Sequence, residues 1–539
     1  MRGYYLPGWN PICRGVIVLI FALLSVNHNV FGANYYIDPN YSGTNGAAYT
    51  APNGTVYTAA YNNIDSALSS SGGVPSGGSA TSPNYLYFAP GTYNVGTSSL
   101  SYSKNNVDFV GITGNPNDVV ITSTLDSSYS SVNGTSNSAT LQLKGNNQSA
   151  SYITFANSTD TPYIVNVTHQ QVSPTGNYAT GISQTSNSPA VALLLQGDEQ
   201  VFNDVKVLGY QDTLYDKGGR AYFTNSTVSG DVDFIFGSGT AVFNNSTINM
   251  DSDHSGGDIT AASTAKTTSN GFVFLNSSIT GNSMKGNPVI DPNNGGNANP
   301  TAASSMYIGR PWGWTQPGGD SGTVLINTKV ASLSNTPIIE SPGWLAWDST
   351  ETASTTTNNG GGNPAEDSRF AEFNTTDLIS GNPDSVSGRV SWSHQLNSSQ
   401  AAAYTVDNIF SESYAWFGQG YPASDTDINS QGGFAAGTGS SNPNDPNYSW
   451  PAFWGDRNVN NESNSETAGT NDPSAYTDPS WTLGGNWDPT NQLNLAEVEI
   501  PEPASGGILV GLMVILLLLD RGRGMYFVGS ERRGAAHRR

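Results

Sequence analysis

The 539-residue chain holds a single cysteine, Cys13. That excludes disulfides, thiolate zinc sites and cysteine nucleophiles from everything downstream of it. Histidine is nearly as scarce, with only His169, His254 and His394 in the body of the chain. None stands at a metal-ligand spacing and no Asp-rich stretch forms an EF-hand loop, so no metal and no cofactor are assigned. Charge is thin as well: 12% of residues are charged, with 20 Lys and Arg against 42 Asp and Glu, a formal net charge of −22. Nucleic acid is excluded as a partner, because its phosphates would be repelled. Residues 419–500 contribute 11 acids and one base, so nearly half of the negative charge belongs to that stretch alone. The rest is rich in Gly, Asn, Ser and Thr, with short apolar runs between turn residues. That composition is all-β and too polar for a helical core.

Long apolar runs occur only near the two ends. Arg2 and Arg14 precede Val16–Leu24, and the small residues Gly32 and Ala33 follow. Residues 1–32 read as a secretory signal peptide, too short for a comfortable membrane span. Cys13 precedes the apolar run and is not placed as a lipoprotein acceptor. Near the other end, Pro501-Glu502-Pro503 is followed by Ile508–Leu519 and then by Asp520, Arg521 and Arg523. Residues 500–539 resemble a PEP-CTERM sorting signal. The resemblance implies exosortase-type processing, transient membrane association and an exported, cell-surface or extracellular bacterial protein. An ordinary C-terminal membrane anchor is the plainer alternative.

Between these ends, residues 33–418 read as one strand-rich body and 419–499 as a low-complexity linker. The linker's Trp450, Trp454, Trp481 and Trp487 leave open a small carbohydrate-contacting patch. The many Asn-x-Ser/Thr triplets, such as Asn157-Ser158-Thr159, follow from the composition. The body repeats. Phe202-Asn203-Asp204, Phe223-Thr224-Asn225, Phe243-Asn244-Asn245 and Phe274-Leu275-Asn276 share the form Phe-x-Asn/Asp at steps of 21, 20 and 31 residues. A near-constant step with insertions is the mark of a solenoid. A step of about twenty residues with β-branched strands suits a parallel β-helix, with aromatics stacked inside and Asn laddered at a turn.

The repeat places two carboxylates. Asp212, in Gly209-Tyr210-Gln211-Asp212-Thr213-Leu214-Tyr215, lies ten residues after Phe202. Asp233, in Gly230-Asp231-Val232-Asp233-Phe234-Ile235-Phe236-Gly237, lies ten after Phe223. An acid in so apolar a run is costly unless paired or used. The two are expected in phase on one sheet, one coil apart, at roughly 4.8 Å, the inter-strand spacing. Their pKa values should then separate, leaving one ionised and one protonated. Gly309-Arg310-Pro311-Trp312-Gly313 supplies a cation for the ionised one. Taken singly, Asp212 reads as a turn acid, Arg310 as a surface cation and Trp312 as packing. Together they could divide the work of ester hydrolysis.

These phrases resemble the signature of the pectin methylesterase family. The resemblance implies a right-handed, single-stranded parallel β-helix that hydrolyses methyl esters of pectin (homogalacturonan), as a monomer without a cofactor. It implies Asp233 as nucleophile, Asp212 as general acid and then base, Gln211 as oxyanion donor and Arg310 as the nucleophile's partner. Trp312 and Tyr215 would contact the sugar chain. Further phrases fall in the family's order: Tyr35–Pro39, Ala89–Tyr93, Ile259-Thr260-Ala261, Gly343–Trp347, Ala371-Glu372-Phe373 and Arg389-Val390-Ser391-Trp392. One departs. The family's Gln-Ala-Val-Ala-Leu is here Pro189-Ala190-Val191-Ala192-Leu193, which removes a polar side chain near the oxyanion; Gln184 and Asn187 are nearby. Two rivals follow: an esterase or thioesterase of the same fold acting on another substrate, and a polysaccharide-binding surface protein with a weakened site. A pectate lyase would need an acid cluster for calcium and a basic catalyst, and neither grouping is present.

Overall fold

The computed structural model describes residues 32–127, 132, 134–159, 170–172, 178–180, 189–250, 257–264, 270–281, 306–312, 321–333, 336–345, 368–390, 393–410, 487–490 and 492. The expected signal peptide up to residue 31 and the sorting segment 500–539 lie outside these residues. So do most of the 419–499 segment, with Trp450, Trp454 and Trp481, and also His169, His254, Gln184 and Asn187.

Each coil gives one strand to each of three sheets. One coil runs Gln200–Asn203, Lys206–Leu208, Leu214–Asp216. The next runs Arg220–Thr224, Thr227–Gly230, Ile235–Gly237, and a third Thr240–Asn244, Thr247–Met250, Gly257–Ala262. Among the described residues the three sheets hold 13, nine and seven strands. Coil pairs with coil in parallel, for example Phe202 with Phe223 and Val228 with Ile248. The fold is therefore a parallel β-helix, closed at its N-terminal end by the antiparallel pair Ala47–Thr50 and Val56–Tyr61.

The Phe-x-Asn/Asp repeat makes the first turn of these coils alike. Phe202, Phe223, Phe243 and Phe274 lie in register, fully or almost fully buried, with successive ring centroids 4.5, 5.0 and 4.9 Å apart. Each such stack adds about 0.5–1.5 kcal/mol beyond the area it buries. Two residues on, Asn225, Asn245, Asn276, Asn327 and Asn374 all take left-handed backbone, with φ between 49° and 52°. Asparagine tolerates that conformation better than most residues. Their amides ladder up the helix: Asn245 Nδ2 donates to Asn225 Oδ1 at 2.6 Å, and Asn374 Nδ2 to Asn327 Oδ1 at 2.9 Å. A serine ladder runs beside it, with Ser226 N donating to Ser246 Oγ and Ser246 N to Ser277 Oγ. The corner between the first two sheets is thus fixed, and insertions fall at the ends of the third sheet instead.

Several family-like phrases turn out to hold the fold together. Tyr93 Oη donates to the carbonyls of Ile37 and Ala89, tying the first two phrases to each other. Glu372 and Arg389 form a two-pronged ion pair at 2.7 and 3.2 Å. Fully buried Trp344 stacks on Phe370 at 4.4 Å. Its neighbour Gly343 has φ +72°, and a Cβ there would lie 2.4 Å from Arg389 Cδ, so only glycine fits.

Two short helices, Ser398–Ala401 and Val406–Phe410, cover the outer face of the first sheet, where Tyr404, Ile409 and Phe410 join Tyr222 and Val242 in a second apolar cluster. Within the 419–499 segment, Trp487 belongs to that cluster. Its ring lies 4.6 Å from Phe410 and 5.5 Å from the guanidinium of Arg220. Gln492 Nε2 donates to Asn147 Oδ1 at 3.2 Å.

Candidate active site

The third sheet pairs Leu214 with Ile235 and Ile235 with Thr260. Carried back two residues, that register stacks Asp212, Asp233 and Asp258 on successive coils, and Asp258 in turn pairs with Tyr307. The spacing argument put Asp212 and Asp233 in phase on the sheet. The phase holds, but both sit in the turn just before their strands, with φ of 61° and 50°. Left-handed backbone interrupts the strand there, and the ladder resumes at Leu214 and Ile235. Asp212 N donates to Val232 O at 3.0 Å, which keeps the two turns stacked.

Arg310 reaches this stack from the strand Met306–Pro311, paired with Ala261. Gly309 makes the approach possible: a Cβ there would lie 2.0 Å from Thr260 Oγ1. The guanidinium grips Asp233 with two hydrogen bonds, Nε to Oδ1 at 2.8 Å and a terminal nitrogen to Oδ2 at 2.5 Å. Its Nε also lies 3.4 Å from Asp258 Oδ2. The Asp233 side chain is 9% exposed and that of Arg310 24%, so the pair is shielded but open to the cleft.

Electrostatics separates the acids. Burial pushes the Asp212 carboxyl well above its ordinary value; the charge of Asp233 and, less, that of Asp231 add to the rise while Arg310 opposes it. Burial likewise raises Asp258 to about 7, with Arg310 pulling down and Asp233 pushing up. Burial and the neighbouring charge thus favour the protonated form of Asp212, which stands beside the Asp233 carboxyl group clamped by Arg310. Among the described residues no group of three His, Cys, Asp or Glu side chains is arranged to hold a metal ion.

All six residues expected from the sequence line one cleft of about 470 Å³: Gln211, Asp212, Tyr215, Asp233, Arg310 and Trp312. Gln211 is 8% exposed. Trp312 is held through its backbone, N to Ala262 O at 2.8 Å. Phe236 joins the aromatic wall, with ring centroids 4.2 Å from Tyr215 and 5.8 Å from Trp312. Burial, then the nearby Asp212, pushes the Tyr215 phenol up to about 12, while a hydrogen bond with Ser136 opposes the rise. Pro189 does not line the cleft. Its carbonyl accepts from Ser127 N, and Ala190 N donates to Gln211 O at 3.2 Å, so it stands one coil before the oxyanion end of the site.

Three participants escaped the sequence reading: Asp258, Phe236 and the Gly134–Asn137 segment of the cleft wall. Phe236 lay in view inside its phrase. Asp258 directly precedes Ile259-Thr260-Ala261, but its coil is 25 residues after that of Asp233, so the 21-residue step missed it. The Gly134–Asn137 segment belongs to an earlier, longer coil without the Phe-x-Asn mark.

An acid pushed towards its protonated form next to a carboxyl group clamped by arginine, with an amide and aromatic rings around an open cleft, is suited to acyl transfer through an aspartyl nucleophile. Comparison with known proteins finds partial likenesses. A Ralstonia solanacearum pectinesterase is 31% identical over 185 residues, covering 32% of this chain and 38% of its own. An Arabidopsis thaliana protein named "Probable pectinesterase 29" is 29% identical over 172 residues, covering 31% of this chain and 42% of its own. The chain thus spans about two fifths of the length of these curated relatives. Among solved structures, the pectin methylesterase PemA from Erwinia chrysanthemi is 26% identical, covering 70% of this chain and 96% of its own, with a TM-score of 0.48. Residues 177–413 match the pectinesterase family model, a span that takes in Gln211, Asp212, Asp233, Asp258, Arg310 and Trp312.

Proposed function

We propose that this protein hydrolyses methyl esters of pectin-like homogalacturonan, releasing methanol and leaving a free carboxylate. Asp233, ionised and oriented by Arg310, attacks the C6 ester carbonyl. The tetrahedral oxyanion takes a hydrogen bond from the Gln211 amide. As it collapses, the C–O bond to the methoxy group breaks, methanol departs with the proton of Asp212, and the sugar carboxyl stays bound to Asp233 as an anhydride. Asp212, now a carboxylate, takes a proton from water, whose oxygen attacks the acyl carbon and frees Asp233. Trp312 and Tyr215 flank the sugar rings.

The observation that carries this reading is the stack itself: two acids in register one coil apart, one clamped by arginine and the other pushed by burial towards its protonated form. The experiment is methanol release from highly methylated homogalacturonan, run beside acetylated xylan and a thioester. Release from the methylated polymer alone supports the reading. Turnover of one of the others alone replaces it with an esterase or thioesterase of different substrate. That second reading is favoured by Pro189, which removes a donor; losing one oxyanion donor typically costs on the order of a hundredfold or more in rate. The same proposal includes export, supported by the Val16–Leu24 run and by Pro501-Glu502-Pro503 with the apolar segment after it.

A further inference from the structure

Arg310 has two acids to serve and one guanidinium to serve them with. Its Nε stands 2.8 Å from Asp233 Oδ1 and 3.4 Å from Asp258 Oδ2. Asp258 is 4% exposed and its second carboxyl oxygen, Oδ1, is buried without a hydrogen-bond partner. A buried carboxylate with an unmet oxygen is unfavourable, and the means of relief at hand are a proton or a larger share of Arg310. The fold imposes the competition. Asp258 continues the Asp212–Asp233 stack by one coil, and Gly309 lets the strand carrying Arg310 approach both.

We propose that Asp258 is a positioning residue that shares Arg310 with Asp233, so that its own charge state sets how firmly the guanidinium holds the nucleophile. Protonated, Asp258 leaves both prongs of the guanidinium on Asp233. Ionised, it draws on the shared Nε, loosens the two-pronged clamp and degrades the attack geometry. The groups facing Asp258 are Asp233, Arg310 and Tyr307, with Asp212 acting through Arg310. Its position near neutrality, where burial has raised it to about 7, puts the change within the working range. This inference rests on reading Asp233 as the nucleophile.

The test is kcat and KM for methanol release from pH 5.5 to 8.5 in the wild-type chain and in Asp258→Asn. Asp258→Ser, also uncharged, stands in if the amide does not fold. The ratio of kcat, variant over wild type, should rise by about fivefold or more across that range, since one pKa unit of interaction is worth tenfold. A ratio that stays flat with pH, whatever its size, marks a merely structural role and overturns the proposal. If wild-type protein turns over no ester at all, the reading of Asp233 fails separately. Thermal unfolding then decides the sharing. The folded-state pKa of Asp258 is raised, so its contribution to stability declines as pH climbs from the carboxylate range towards 7. The Tm advantage of Asp258→Asn should therefore grow from pH 5 to pH 8, and at pH 8 it should be larger in an Arg310→Gln background, where no guanidinium offsets the buried charge; an advantage equal in the two backgrounds would overturn the proposal.

Discussion

Replacing Arg310 with glutamine tests how the site holds its charge. The substitution leaves Asp212, Asp233 and Asp258 stacked without the cation that serves all three. Breaking a fully buried ion pair costs about 3–5 kcal/mol, because the remaining charge is left unpaired. Here the arginine side chain is 24% exposed and the acids can take up protons, so about 2–3 kcal/mol is expected at pH 8. At pH 5 Asp258, raised to about 7, is already protonated, burial favours the proton on Asp212 as well, and the loss should shrink to about 1 kcal/mol. A body of about 380 residues unfolds with an entropy of about 0.8 kcal/mol/K, so those losses correspond to Tm drops of about 3–4 °C and about 1 °C. Differential scanning calorimetry at the two pH values reads them directly. Activity should fall about a hundredfold at pH 5, since the nucleophile loses its orientation, and by a smaller factor at pH 8, where Asp258 already draws on the guanidinium. Equal Tm drops at pH 5 and pH 8 would refute the idea that the three acids draw on one arginine.

Asp212→Asn removes the proton donor for methanol and should lower kcat by about 10²–10⁴-fold; a loss below tenfold in steady-state methanol release would reassign the acid. Pro189→Gln should raise kcat if the missing amide limits the rate, and an unchanged kcat would mean that another group already supplies the donor. Phe223→Ala opens a hole in the middle of the aromatic stack, where the ring is fully buried between Phe202 and Phe243. A loss of about 3–5 kcal/mol is expected, seen as a Tm drop of about 4–6 °C; a drop under 1 °C would mean that the stack contributes little.

The legible parts of this chain are those where the coil length stays constant. Phe202, Phe223 and Phe243 announce the first sheet because no insertion separates their coils, and the same constancy places Asp212 and Asp233 in phase. The Asn or Asp two residues after each Phe marks a left-handed corner that few residues tolerate, so that corner too can be read from sequence. Asp258 was not legible, because its 25-residue coil breaks the period while the sheet register absorbs the difference in a loop. Nor does periodicity reveal that Asp212 and Asp233 themselves take left-handed backbone and stand at the entry of the sheet. The Glu372–Arg389 pair joins two phrases 17 residues apart that looked like independent marks. Long-range pairing of that kind leaves no local pattern. Trp487, in a stretch whose composition reads as linker, packs on Phe410 because a single large aromatic can dock on an apolar sheet face whatever surrounds it in sequence.

The most direct measurement is methanol release from highly methylated homogalacturonan by wild-type protein and by Asp233→Asn, each with its unfolding transition recorded. The account predicts steady release by the wild type and none above background from a variant that still unfolds cooperatively. Release by folded Asp233→Asn at the wild-type rate would contradict it, because the carboxylate clamped by Arg310 would then not be the group that attacks the ester.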